Sequence, residues 1–175
     1  MSAMERWDIY DANRIKTGKT MKRGDEVPLG ACHLVIHICI FNAKDEMLIQ
    51  QRQPFKEGWP NKWDVTVGGS AIAGDSSAQA AQRELFEELG CRMDFTDVRP
   101  HFTVNFDGGF DDFYLVDAEI DIETLRLQYE EVQRVKWAAK DEIFRMIDSG
   151  AFCPYHKGLI AMCFGMRKKY GALAL

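Results

Sequence analysis

Arg83-Glu84-Leu85-Phe86-Glu87-Glu88-Leu89-Gly90-Cys91 places three glutamates within five residues. On a helix turning about 100° per residue, Glu84 and Glu88 stand about 40° apart, with Glu87 about 60° to the other side. The three carboxylates then share one face. Like charges at this spacing cost a bare helix a few tenths of a kcal/mol per pair. A solvated acidic face is the plain alternative. A hard divalent cation removes the conflict, because Mg²⁺ prefers carboxylate oxygens and keeps positions open for water and substrate phosphate.

The flanks predict a helix at this position. Ser76-Ser77-Ala78-Gln79 has the pattern of a capping box, with Ser76 as cap and Gln79 three residues on. Ala78, Ala81, Leu85 and Leu89 supply an apolar stripe to bury against a sheet. Gly90 suits a left-handed stop. Gly68-Gly69 and Gly74 allow an irregular loop before the helix. The segment reads as strand, glycine loop, helix, with the glutamates on the loop-facing side.

Composition narrows the classes. A length of 175 residues suits one domain, 1–175, with a substantial core. A net charge of −5 argues against a nucleic-acid surface, which needs basic patches. No apolar run is long enough to span a membrane, and the N-terminal residues lack the apolar core of a signal peptide. Cys32, Cys39, Cys91, Cys153 and Cys163 are odd in number and form no C-x-x-C pair. They read as reduced residues of a cytoplasmic protein.

Along the chain, residues 1–30 form a short β appendage, with a strand around Trp7–Tyr10 and a turn at Lys16-Thr17-Gly18-Lys19. Residues 32–41 are a continuous apolar run typical of a buried strand. Met47–Gln51 pairs back across an Asn42–Asp45 turn. Two strands, Met93–Phe106 and Phe110–Glu119, flank Asp107-Gly108-Gly109, a hairpin-type turn. Glu131–Trp137 is a further strand. Helices follow at Asp141–Asp148 and His156–Lys169. Strands interleaved with helices predict an α/β fold, an α/β/α sandwich on a mixed central sheet.

Gly69, Asp75, Arg83, Glu84, Leu85, Glu87, Glu88, Gly90 and Cys91 resemble the Nudix box, G-x5-E-x7-R-E-U-x-E-E-x-G-U, over residues 69–91. One position departs from it, since Asp75 stands where the family has Glu. The resemblance implies a hydrolase that cuts a diphosphate bond with Mg²⁺ or Mn²⁺. Its metal ligands would be Glu84, Glu87, Glu88 and the Gly69 carbonyl. Glu84 would also orient or deprotonate the water, with Glu131 as the second candidate base. Arg83, four residues before Glu87, would hold that carboxylate in place.

Arg52, Lys56, Trp59-Pro60, Trp63 and His33 are similar to isopentenyl-diphosphate isomerases, which share the Nudix fold. That likeness implies that Arg52 and Lys56 contact the substrate diphosphate. Gly68 and Ser70, however, stand where those isomerases carry a catalytic Cys and a metal-binding His. A glycine transfers no proton, so the isomerase acid/base pair cannot assemble. The expected activity is hydrolysis of a small-molecule X-diphosphate, with X a nucleoside or similar group. An isomerase and a catalytically silent ligand-binding module are the alternatives, and a homodimer is compatible with the resemblance. His37 reads as a hydrogen-bonded strand residue, and Trp59, Trp63 and Trp137 as structural aromatics.

Overall fold

The computed structural model describes residues 5–173. Strand β3 (His33–Phe41) is the axis of the fold. Its alternation sends side chains to both faces of the sheet. Leu34, Ile36, Ile38 and Ile40 pack with Ala80, Ala81, Leu85 and Leu89 of α1 (Ser77–Leu89). Cys39 and Phe41 pack with Ile143 of α2 (Lys140–Asp148) and with Ile160, Cys163 and Phe164 of α3 (Lys157–Met166). Helices thus cover both faces, which gives the α/β/α sandwich. Burying a leucine such as Leu85 or Leu89 stabilises the packing by about 2 kcal/mol.

The other strands of the sheet are β4 (Glu46–Arg52), β5 (Trp63–Asp64), β6 (Val67–Ser70), β7 (Phe102–Phe106), β8 (Gly109–Asp117) and β9 (Val132–Ala139). The order runs β5-β4-β3-β8-β7, with β6 also paired to β3 and β9 to β4. Only the β3–β8 pairing is parallel among those described, so the sheet is mixed. β3 and β4 pair at Phe41 and Met47 and then part. Thr66 bridges the gap: its hydroxyl accepts from Ile40 N at 2.9 Å and donates to the Leu48 carbonyl. The parting lets β6 lie beside β3, which brings the glycine pair next to α1.

Two expected elements differ. Lys16–Lys19 is not a turn but the start of β2 (Lys16–Lys22), which pairs with β1 (Arg6–Tyr10). The reversal comes earlier because Asp11 Oδ1 accepts from Asn13 N and Ile15 N, both at 2.9 Å, and captures the chain there. The strand expected from Met93 begins only at Phe102. Asp94 Oδ1 accepts from the backbone N and hydroxyl of Thr96, which bends the chain, and Pro100 has no N–H for a ladder.

Candidate active site

Helix α1 begins and ends as its sequence requires. Ser76 Oγ accepts from Gln79 N at 3.3 Å, and Gln79 Oε1 accepts from Ser76 N at 2.8 Å. At the other end Gly90 sits at φ 66° and its N–H donates to the Phe86 carbonyl. These two stops fix the rotation of the helix against β3 and β6. Glu84, Glu87 and Glu88 consequently line one cleft with Gly68, Gly69 and Ser70 of β6. Their exposure is graded: Glu88 is buried, Glu84 largely so, and Glu87 is half exposed.

Gly69 is required by space. A Cβ there would fall 2.7 Å from Glu84 Oε2 and closer still to the rest of the carboxylate. Replacing Gly69 with Ala should push Glu84 aside by about 1 Å and lower kcat/KM about 10²-fold. Steady-state kinetics on protein with an unchanged circular-dichroism spectrum would measure this; an undiminished rate would show that Glu84 need not sit there.

Arg83 does more than its spacing suggested. Its guanidinium donates to Asp75 Oδ2 at 3.1 Å, Glu84 Oε1 at 2.8 Å, Glu87 Oε2 at 3.2 Å and the Ser70 carbonyl at 3.2 Å. Asp75, the residue that departs from the box pattern, therefore helps to fix Arg83. Burial disfavours the guanidinium charge, but Glu84 and Asp75 outweigh it and raise its pKa. Arg83 thereby ties the glycine loop to two carboxylates of α1.

The opposite wall brings Glu131, Gln128, Glu5 and Arg23 to the cleft. Lys56 donates to Glu131 Oε2 at 2.5 Å. Glu130 is exposed. Arg23 pairs with Glu5 at 2.7 Å, and both come from the ends of the β1–β2 hairpin. Asp8 of the same hairpin accepts from Gly74 N at 2.9 Å, and the Arg6 carbonyl accepts from Ala73 N at 2.7 Å. The N-terminal appendage is thus a wall of the site and a clamp on the glycine loop. No local pattern announced this, since the contacts span more than fifty residues.

Burial raises the Glu84 pKa to about 7, against the opposing pull of Arg83. Burial also pushes Glu88 well above the ordinary carboxylate range, with Glu84 adding to it and a 2.9 Å hydrogen bond from Gln50 Nε2 opposing. Gln50 Oε1, buried beside it, has no hydrogen-bond partner. Two carboxylates held where charge is penalised, next to an orphan acceptor, fit a hard divalent cation. As the side chains stand, no three His, Cys, Asp or Glu among the described residues converge on one point. Arg83 now draws Glu84 and Glu87 toward itself, so a cation must compete with that guanidinium.

A pH dependence follows. The unfolded Glu84 carboxyl titrates near 4.5 and the folded one near 7, so between these values the folded chain holds a proton that the unfolded chain releases. The metal-free protein therefore loses stability as pH rises through that window, by about 3 kcal/mol from this group. Thermal melts of wild type and Glu84→Gln across it should show the variant losing less. Parallel curves would contradict the raised pKa.

Residues 32–157 match the NUDIX domain family. The chain belongs to the Nudix family. An uncharacterised Nudix hydrolase of Listeria monocytogenes is 47% identical over 152 residues, covering 87% of this chain and 90% of that one. A crystal structure from Deinococcus radiodurans superposes with a TM-score of 0.75 at 22% identity, over 91% of this chain and 99% of that one. An isopentenyl-diphosphate Delta-isomerase of Pectobacterium atrosepticum is 34% identical over a shorter stretch, 56% of this chain and 52% of its own. The chain is thus a Nudix hydrolase. Hydrolysis of a pyrophosphate bond with a divalent metal ion is the general activity of these enzymes.

The Nudix framework here separates residues that the isomerase likeness grouped. Lys56 reaches the glutamate cleft, whereas Arg52 donates to the Gly58 carbonyl at 3.0 Å and lies 3.5 Å from Asp64. Arg52 belongs to a second cleft with His37, Trp59, Asp64 and Tyr155. His33 stacks on Trp7 at 4.4 Å and bonds the Gly108 carbonyl at 2.9 Å, a structural role. Trp63 is buried and Trp137 packs against the core. Trp59 corrects the expectation of a structural aromatic, because it is 53% exposed. Gly68, where an isomerase carries its Cys, is covered by the His37 ring: a Cβ there would come within 2.7 Å of His37 Nε2.

Proposed function

We propose that this chain hydrolyses the diphosphate bond of a small-molecule X-diphosphate, with a nucleoside diphosphate derivative as the substrate class. The observation that carries the reading is the single cleft shared by Glu84, Glu87, Glu88 and Gly69, with Glu88 buried and Glu84 largely so. Those three glutamates and the Gly69 carbonyl would hold Mg²⁺ or Mn²⁺, which supplies neutralisation of the phosphate charge and acidifies a water.

The protein's own groups then have distinct tasks. Glu84, with its pKa near 7, is poised to take a proton from the attacking water at neutral pH. Glu131 faces it across the cleft and is the second candidate, although Lys56 holds it. Lys56 and Arg23 bring positive charge to the wall opposite α1, where substrate phosphate needs it. Arg83 keeps Glu84 and Glu87 in place. The tight packing of His37 over Gly68 supports hydrolysis over isomerisation, since no thiol fits there without moving the ring. The chain works as a single domain in the cytoplasm.

The test is release of phosphate or nucleotide from a panel of diphosphates with Mg²⁺, with Mn²⁺ and with chelator. Nucleotide sugars, dinucleotides, ADP-ribose, CDP and CTP derivatives, coenzyme A and isopentenyl diphosphate span the class. Metal-dependent cleavage of one member at kcat/KM of about 10⁴ M⁻¹s⁻¹ or more is expected. Conversion of isopentenyl diphosphate without loss of phosphate would overturn the reading.

A further inference from the structure

Strand β7 is an open edge of the large sheet: among the described residues it pairs with β8 alone. A free edge offers a row of unpaired N–H and C=O groups to any other strand, and folded chains guard such edges with charge, brevity or a bulge. Other strands with an open side are guarded here. β5 has only two residues, β9 carries Arg134 and Lys136, and β2 carries Lys16, Lys19 and Lys22. β7 reads Phe102-Thr103-Val104-Asn105-Phe106, with no charge, no proline and an unbroken register to β8. Its apolar side chains are not hidden either, since Val104 is 36% and Phe106 42% exposed.

The strand is complementary to itself. Phe102 lies on the α2 and α3 face of the sheet, where it joins their core and stacks on Phe113 at 4.9 Å. By alternation Val104 and Phe106 share that face, and Phe106 meets the His33 ring edge-on. Thr103 and Asn105 turn to the α1 face, where Thr103 donates to Asp112 alongside Ser77 of α1. Two copies running antiparallel about a two-fold axis at Val104 set Phe102 against Phe106, Val104 against Val104, and Thr103 against Asn105. With the axis perpendicular to the sheet, each face continues into the same face of the other copy. Every apolar side chain then meets an apolar one and every polar side chain a polar one. Just outside the strand His101 comes opposite Asp107, so no like charges meet. Sliding the pair by two residues either way shortens the ladder and puts Thr103 or Asn105 on the axis. A charged partner would find nothing along this edge to pair with, whereas a second copy matches it throughout.

We propose that β7 is a self-association surface through which two copies of this chain pair edge to edge and join their sheets into one. The interface is isologous, made of main-chain hydrogen bonds along β7 with the Phe102, Val104 and Phe106 ladder beside them. β3 and β8 stand between β7 and β6, so the surface is separate from the glutamate cleft and does not rest on the hydrolase reading.

Sedimentation velocity or light scattering on the full chain, over a series reaching about 100 μM, should give twice the monomer mass. The melting temperature should rise with protein concentration. Val104→Lys sets two ammonium groups face to face on the axis and should weaken association about tenfold or more, leaving a folded monomer. Val104→Glu should do the same. Mixed in equal amounts, the two variants should pair again, because Lys then faces Glu; this rescue separates a lost interface from a damaged fold. Tyr129→Lys, at another exposed aromatic, is the control expected to associate like wild type. A wild-type chain that stays monomeric through the series would overturn the proposal. So would a dimer that survives Val104→Lys or is lost on Tyr129→Lys, and a Lys and Glu mixture that stays monomeric would overturn the two-fold pairing at Val104.

Discussion

Glu88→Gln should leave a folded protein whose metal-dependent hydrolysis is about 10³-fold slower, a loss of about 4 kcal/mol of transition-state stabilisation. The substitution removes one negative charge from the most buried carboxylate of the cleft and little else. The amide has the shape of the protonated acid, and its carbonyl can accept the same bond from Gln50 Nε2. Burial already holds Glu88 well above the ordinary carboxylate range. Without metal, then, the acid and the amide are nearly equivalent, and the melting temperature at neutral pH should stay level or rise. With metal the two diverge, because only the carboxylate offers a full charge. Activity and melting temperature thus move independently, which a merely structural residue would not allow. Turnover at the wild-type rate would show that α1 does not carry the chemistry.

That prediction could be framed from sequence because the features behind it are local. Three glutamates at helical spacing, a capping box and a stop glycine all lie within one 13-residue helix and its two caps. Gly69 needs only a short loop to reach them. The departure of Asp75 from the box pattern was visible too, but its consequence was not, since a pairing with Arg83 depends on how the glycine loop folds. The second cleft was hidden for a different reason. His37, Asp64 and Asp111 come from three separate strands and Tyr155 from the loop before α3, and no periodicity links them. The same limit applied to Arg52 and Lys56: four residues apart in the chain, they serve opposite sides of β6. Strand ends misread in the sequence, at Lys16 and Met93, were decided by single Asp side chains that captured nearby backbone N–H groups.

Arg14→Ala should destabilise the protein by about 3 kcal/mol, because it strips the cation from a fully buried carboxylate. Asp112 is completely buried on β8, and Arg14 from the β1–β2 turn pairs with both of its oxygens, Nη1 to Oδ1 at 2.8 Å and Nη2 to Oδ2. Ser77 and Thr103 also donate to it, each at 2.6 Å, and Tyr114 donates to Ser77 at 2.8 Å. Those hydroxyls soften the loss, which places the cost at the low end of the range for a broken buried pair. For a chain of this size such a loss lowers the melting temperature by roughly 6–12 °C. Arg14→Lys should recover only part of it, since an ammonium cannot bridge both oxygens at once. Arg14→Ala combined with Asp112→Ala should cost less than the sum of the two single changes. The consequence for function runs through the hairpin. Arg14 sits at φ 63° between β1 and β2, the strands that carry Glu5 and Arg23 to the glutamate cleft and clamp Gly74 through Asp8. Releasing this anchor frees a wall of the site, so kcat/KM should fall even at temperatures where the variant is fully folded. A variant that melts early but hydrolyses at the wild-type rate would mean that the hairpin stabilises the fold without shaping the cleft.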